Sequence, residues 1–162
     1  MDSNDRYLLI VACSQRKRSD VGLLPAIERY DGGTYRLLRK AKREGYWPEG
    51  LDVLILSAKY GLIQASTPIA NYEQRMSKER ASELKAQIMQ SLQRYTLQNV
   101  YHEVYIELGE DYYSAIGDFS QIFESSLMVH GQGRIGERLA RLKQWLTTRC
   151  KRESVGIGNR AQ

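Results

Sequence analysis

Tyr7-Leu8-Leu9-Ile10-Val11-Ala12 is an uninterrupted apolar run, and the polar segment Cys13-Ser14-Gln15-Arg16-Lys17 follows it directly. A short apolar run that ends in small and polar residues predicts a buried β-strand that opens into a loop. In open α/β sheets, ligands bind outside the carboxyl ends of the strands. The loop 13–17 is therefore the first candidate for a functional site.

A second strand is predicted at 51–57, where the sequence is nearly continuously apolar, as expected for a parallel strand that is covered on both faces. We expect this strand to end in a loop at 58–63. Helical spacing of apolar residues predicts one helix from about 33 to 44 and a longer one from about 77 to 95, with Ser77 as its N-cap.

The rest of the chain continues the alternation of strands and helices. The predicted elements are a strand at 100–108, a short helix at 112–119, a strand near 127–129 and a helix that ends near Cys150. Strands separated by helices imply parallel pairing with right-handed crossovers. We predict a single three-layer α/β domain over residues 1–150, with a mostly parallel sheet and helices on both faces, and a flexible tail at 151–162.

The composition indicates which kinds of partner and cofactor the protein is expected to have. The chain has 162 residues and a formal net charge of +5, which suits a phosphate-bearing partner, although solvated helix faces would account for it equally. We expect no membrane partner and a cytoplasmic location, because the sequence lacks a long apolar span and a secretory signal. Two cysteines, Cys13 and Cys150, are too few for a disulfide framework or a cysteine zinc site, and we expect no metal and no cofactor.

The loop 13–17 offers three groups for catalysis. The Cys13 thiol is a nucleophile if the cations Arg16, Lys17 and Arg18 lower its pKa, and the Lys17 amine could itself attack an electron-poor carbon. Ser14 would complete the site. Alternatively, Cys13 is a small packing residue, Ser14 is a helix cap, and Lys17 and Arg16 are phosphate contacts.

Polar and aromatic residues after the second strand form a candidate substrate site. Tyr60 could stack on a base while Lys59 supplies an ammonium group, and Gly61 would permit a tight turn. Packing of Tyr60 against the next segment is the alternative. The residues expected to bind substrate in this region are Ser57, Lys59, Tyr60, Gly61, Asn71 and Tyr72.

The segment Gly131-Gln132-Gly133-Arg134-Ile135-Gly136 precedes the last helix. Glycines there leave backbone N–H groups free at the positive end of a helix, which predicts a phosphate site formed by Gly131, Gly133, Arg134 and Gly136. Its late position excludes a dinucleotide-binding fingerprint, which follows the first strand.

Further polar residues flank these strand ends. His130 is a candidate for substrate binding and acid–base chemistry because an imidazole titrates near neutrality. Glu107 and the pair Glu110-Asp111 could bind a base or a ribose hydroxyl, with helix capping as the alternative for Asp111.

Several short motifs, taken in order, resemble the YaaA-like family of bacterial and phage proteins, which includes peroxide stress proteins. They are Cys13-Ser14-x-x-Lys17, Tyr30-Asp31-Gly32, Leu56-Ser57-Ala58-Lys59-Tyr60-Gly61-Leu62, Pro68-Ile69-x-x-Tyr72 and the late glycine loop. The Cys-Ser-x-x-Lys step is also similar to a motif in the core domain of archaeosine synthase, which modifies a deazaguanine base in tRNA. By this resemblance Lys17 is the covalent nucleophile, with Cys13 and Ser14 as its partners. The related fold resembles uracil-DNA glycosylases.

These observations predict an enzyme that modifies or cleaves a base, either free or in a nucleic acid. Its partner would be a nucleobase, a nucleotide or a nucleic acid, DNA or tRNA. The alternative is a non-catalytic DNA-binding protein of the oxidative stress response that grips phosphates without sequence preference. A third hypothesis is a thiol redox sensor at Cys13, which requires a thiolate at neutral pH.

Overall fold

A computed structural model describes residues 5–109, 112–113, 119–124 and 126–158, with side chains up to residue 150. In chain order its elements are strand β1 (Tyr7–Ala12), strand β2 (Leu24–Pro25), helix α1 (Ala26–Arg29), helix α2 (Gly33–Glu44), strand β3 (Leu51–Ser57), strand β4 (Gly61–Gln64), strand β5 (Pro68–Ile69), helix α3 (Lys78–Gln98), strand β6 (Glu103–Glu107), strand β7 (Leu127–His130) and helix α4 (Ile135–Gly158).

The main sheet has five strands in the order β4-β3-β1-β6-β7. Strand β1 lies at the centre and pairs in parallel with β3 and β6, so that Val11 is opposite both Ile55 and Glu107. Strand β7 adds a further parallel pair, and only β4 runs antiparallel. The segments that follow β1, β3, β6 and β7 therefore all leave the sheet at the same edge.

Helices cover both faces of this sheet, which confirms the predicted three-layer α/β architecture. Leu9 and Val11 of β1 pack in one core with residues of α2 and α4, such as Leu38 and Leu142. The alternate residues of β1 pack in a second core on α3. No described helix combines the length and the apolar character that crossing a membrane requires.

Several element boundaries agree closely with the sequence. The helix at 33–44 and the strand at 51–57 have the predicted bounds. Helix α3 begins after Ser77, whose side chain accepts a hydrogen bond from the Arg80 N–H and confirms the predicted cap. The predicted short helix at 112–119 is described only in part, because residues 114–118 lie outside the described residues.

Other predicted boundaries differ from the structure: the strand expected at 100–108 spans 103–107, and the helix expected to end near 95 ends at 98. Two larger differences concern the loop 58–63 and the last helix. The segment expected to be a loop at 58–63 is a tight turn followed by β4, because Gly61 at φ +76° lets the chain reverse and pair antiparallel with β3. The last helix does not end near Cys150 but continues to Gly158, and no proline interrupts the added segment 151–158.

A small ribbon stands beside the main sheet. Strand β2 pairs antiparallel with β5, and Lys17 forms a single bridge with Tyr30. The chain after β1 is thereby tied to the start of α2. This arrangement fixes the loop 13–17 at the carboxyl edge of the sheet.

Candidate functional site

A cleft of about 340 Å³ opens at the carboxyl edge of the sheet, beside the end of β1. It is bounded by the loop that follows β1, by the segment 71–76 that follows β5, and by a residue that follows β6. The residues that line it are Cys13, Ser14, Gln15, Lys17, Asn71, Tyr72, Glu73, Gln74, Arg75, Met76 and Tyr112. The cleft lies where parallel α/β sheets bind ligands.

Lys17 is one of the cations that line this cleft, and its surroundings define the site. Its Nζ lies 4.5 Å from the centroid of the Tyr72 ring and 5.9 Å from that of Tyr30, and it donates to the Gln15 carbonyl at 3.3 Å. No carboxylate of the described residues forms an ion pair with it. The ammonium group is thus held by aromatic faces, which leaves its charge available to an anionic ligand.

Three buried hydroxyl groups form the floor beneath Lys17. The Tyr30 hydroxyl donates to Ser57 Oγ at 3.0 Å, and the Tyr72 hydroxyl lies 3.1 Å from the same oxygen. Ser57 Oγ also accepts the backbone N–H groups of Lys59 and Tyr60. Ser57 is completely buried and is fully occupied by these contacts, so it acts as a structural anchor rather than as a substrate ligand.

Cys13 lines the cleft but is poorly placed to become a thiolate. Burial raises the pKa of its thiol above the ordinary value, and this effect outweighs the opposing influence of a backbone hydrogen bond from Ala58 and of the Lys17 charge. The Lys17 charge does lower this pKa, but burial outweighs it, so the net pKa of the thiol is raised. The Cys13 side chain also packs against the core below β1.

Ser14 holds the loop to the start of α2. Its hydroxyl donates to the Arg16 carbonyl at 2.6 Å and accepts the Gly32 N–H at 3.2 Å. A Cβ at Gly32 would lie 2.9 Å from the Ser14 Cβ, so glycine is needed for this close approach. Ser14 therefore positions the loop through these contacts.

The remaining predicted substrate residues of this region divide into two that line the cleft, Asn71 and Tyr72, and three that do not, Lys59, Tyr60 and Gly61. Tyr72 is a buried ring on the wall of the cleft. Tyr60 packs edge-to-face on Tyr72 with ring centroids 5.6 Å apart, which agrees with the packing alternative. Lys59 Nζ lies 5.3 Å from the Tyr60 ring. Gly61 faces helix α3, where a Cβ would overlap the side chain of Gln87.

The cations of α2 are largely engaged within the molecule. Asp31 forms ion pairs with Arg16, Arg36 and Arg39, and Lys40 lies at ion-pair distance from Glu44. The Arg36 and Arg39 guanidinium groups hold the pKa of Asp31 below its usual range. Arg16 remains an exposed side chain, but its charge already has a partner. The helix therefore presents less free positive charge than its sequence suggests.

The glycine loop does not line the cleft within the described residues. A Cβ at Gly131 would overlap the carboxylate of Glu107, and Gly133 has a φ of +97°. The Arg134 N–H donates to Glu137 Oε2 at 3.3 Å, which caps the helix from within. Close packing and a left-handed turn account for these two glycines, whereas a Cβ at Gly136 would meet open space.

Residues at the end of β6 and β7 form a separate cluster. The His130 imidazole packs edge-to-face on the Tyr113 ring with centroids 5.0 Å apart. Glu107 is buried and accepts from Arg138 Nε at 2.6 Å, while its Oε2 has no hydrogen-bond partner among the described residues. Burial raises the pKa of Glu107 above its ordinary value. The candidates Glu110 and Asp111 lie outside the described residues.

Two features of the site were not predicted from the sequence. Arg29 is completely buried and donates to the carbonyls of Arg18, Asp20 and Gly22. Arg75 contributes a cation to the cleft wall. A single arginine in a short polar stretch has no local signal that separates it from a surface residue.

Among the described residues, no group of three or more histidine, cysteine or acidic side chains is arranged to hold a metal ion.

Comparisons with known proteins agree with this fold and assign no activity. The model of a family of unknown function, DUF6884, matches residues 8–144. A solved structure described as the crystal structure of AF0587, a protein of unknown function, has a TM-score of 0.51 and 14% sequence identity, with 88% of this chain and 44% of that chain covered. The chain thus spans less than half the length of that protein, and the likeness shows the fold alone. No curated protein matches the sequence. The resemblance to YaaA-like proteins and to archaeosine synthase stays a prediction.

Proposed function

The chain belongs to the family of unknown function DUF6884, and we propose that it is an enzyme that binds a nucleobase or nucleotide in the cleft and modifies or cleaves the base. The observation that carries this proposal is the Lys17 ammonium group, which stands over the Tyr72 ring without a carboxylate partner among the described residues. An amine placed at a strand end within a cleft can add to an electron-poor carbon once it has lost its proton.

The other residues of the cleft supply the kinds of contact that such a ligand requires. Gln15, Asn71 and Gln74 carry side-chain amides, each of which both donates and accepts hydrogen bonds, as the edge of a base does. Arg75 adds a guanidinium group that suits a phosphate. One carboxylate, that of Glu73, also lines the cleft, against the two cations Lys17 and Arg75. The charge and polarity of the lining therefore favour a polar, anionic ligand over an apolar one.

Cys13 and Ser14 take supporting roles in this proposal. The raised pKa of Cys13 disfavours a thiolate, and the Ser14 hydroxyl is occupied with the Arg16 carbonyl and the Gly32 N–H. Lys17 is the reactive group that remains in the loop. The same pKa direction argues against a redox sensor at Cys13.

Thermal denaturation against free bases, nucleosides, nucleotides and short nucleic acids tests the proposal. Ligand at about 100 times its Kd adds about 2.7 kcal/mol to the free energy of unfolding. We expect one small-molecule class to raise the midpoint of the wild type, and Lys17→Met to abolish that rise. Lys40→Met, which removes a lysine that is paired with Glu44 outside the cleft, is the matched control and should retain it.

Turnover on the ligand class found in this way separates binding from chemistry. Lys17→Arg keeps a positive charge but lacks an amine that can be deprotonated, so it should bind and not react. Equal turnover by Lys17→Arg and the wild type would refute the catalytic role. Midpoint shifts from polymers alone, lost as salt is added, would instead favour the non-catalytic DNA-binding function.

A further inference from the structure

Two aliphatic side chains project into solvent immediately after the cleft loop. Val21 is fully exposed and Leu23 is 66% exposed, on the segment 18–23, which we call the tip loop. Single apolar residues at a surface are common and carry no message. Here two of them are separated by a single residue, on a segment that is fixed from within the protein.

The conformation of the tip loop is set by the buried guanidinium group of Arg29. It donates to the carbonyls of Arg18 at 2.7 Å, Asp20 at 2.9 Å and Gly22 at 2.7 Å. Burial of a charged side chain is costly unless its hydrogen bonds are satisfied, and here the loop carbonyls satisfy them. The exposure of Val21 is therefore a fixed feature of the fold.

The tip loop directly follows a cation of the cleft in the chain, whereas its own Arg18 is paired with Asp20 at 2.9 Å. Lys17 lines the cleft and directly precedes Arg18, the first residue of the tip loop. Arg75 lines the cleft from the segment 71–76. Among the described residues, neither Arg75 nor Lys17 has a carboxylate partner. The exposed Val21 and Leu23 offer apolar surface, and the cleft offers the cations. A nucleic-acid strand carries the two complementary features, apolar base faces and anionic phosphates.

We propose that the tip loop is a nucleic-acid contact, with Val21 and Leu23 packed against exposed base faces of a strand whose neighbouring nucleotide occupies the cleft. This inference rests on the proposed function and specifies its substrate as polymeric. Apolar side chains can enter between base steps where a strand is opened, and the cations beside them hold the phosphates. A free nucleotide would fill the cleft without reaching the tip loop.

The test compares the double variant Val21→Ser/Leu23→Ser with the wild type. Leu97→Ser/Val100→Ser is the matched control, because it removes two aliphatic side chains that are also exposed, one in the last turn of α3 and one just after that helix. Each protein is titrated with a mononucleotide, with vesicles of anionic phospholipid, and with single-stranded and duplex DNA and RNA that contain 2-aminopurine. The fluorescence of 2-aminopurine rises on unstacking. Urea unfolding checks that each variant folds.

We expect the tip variant to bind the oligonucleotide about tenfold more weakly, to lose the fluorescence rise, and to keep the affinity for the mononucleotide. The control variant should match the wild type in every measurement. Unchanged oligonucleotide affinity in the tip variant would overturn the inference while the proposed function stands. Loss of binding to anionic vesicles, rather than to oligonucleotides, would assign the tip loop to a membrane surface and also overturn it. If the wild type binds no nucleotide and no oligonucleotide, the proposed function fails and the inference fails with it.

Discussion

The hydroxyl oxygens of Tyr30 and Tyr72 lie 2.6 Å apart beneath the Lys17 ammonium group. Burial raises the pKa of both phenols above the ordinary value, so both stay neutral at physiological pH. The floor of the cleft is therefore polar but uncharged. Lys17 receives orientation from these rings without receiving a counter-charge, which distinguishes it from the paired cations of α2.

The hydroxyl cluster predicts a graded loss of stability. Tyr72→Phe removes one member and should lower the free energy of unfolding by about 1 kcal/mol. Ser57→Ala should cost more, because it also leaves the Lys59 and Tyr60 N–H groups without their acceptor. Urea unfolding measures both. Tyr60→Phe is the control, since the Tyr60 hydroxyl has no hydrogen bond among the described residues; an equal loss there would contradict the account.

The raised pKa of Cys13 predicts slow alkylation in the folded protein. With Cys150→Ser, Cys13 is the sole thiol, and iodoacetamide at pH 8 should modify it at least tenfold more slowly in buffer than in urea. The pKa of Cys13 in the folded protein lies above the reference value of 9.0. The contribution of the Cys13 thiol to the free energy of unfolding is therefore fully present below about pH 9. It is lost as the pH rises through the pKa of the folded protein. Equal rates in buffer and urea would show an accessible thiolate.

Local sequence patterns predicted the central elements because burial imposes them directly. A strand covered on both faces must be apolar throughout, and this identified β1 and β3. A helix that packs one side repeats its apolar residues at a spacing of three to four, and this identified α2 and α3. The position of the cleft followed from the parallel order of the strands.

Long-range contacts were not predictable in the same way. The burial of Arg29 depends on three carbonyls that precede it in the chain and on the ribbon formed with β5. The glycine loop has the local features of an anion site, but Gly131 is required by Glu107, which lies more than twenty residues earlier in the chain. Such requirements come from packing between distant segments, and a local pattern does not contain them.

Arg29 predicts a strong effect on stability and on the tip loop together. Arg29→Met leaves the carbonyls of Arg18, Asp20 and Gly22 without their donor and should lower the free energy of unfolding by about 3 kcal/mol. Arg16→Met is the matched control, because that arginine is exposed and forms only a 3.6 Å ion pair with Asp31. We expect a change below about 0.5 kcal/mol for the control in urea unfolding. Equal effects in the two variants would show that the buried guanidinium contributes nothing specific.

The glycine loop gives a prediction that separates packing from ligand binding. Gly131→Ala places a Cβ against the Glu107 carboxylate, which cannot move freely because Arg138 holds it at 2.6 Å, and it should lower the free energy of unfolding by about 1–3 kcal/mol. Gly136→Ala meets open space inside α4 and should be neutral or stabilise the helix by up to about 1 kcal/mol. Thermal and urea unfolding measure both changes. If both variants keep wild-type stability but lose binding of a phosphate-bearing ligand, the loop is an anion site and the packing explanation is wrong. If only Gly131→Ala unfolds more easily, and Gly136→Ala binds the ligand as the wild type does, packing accounts for the loop.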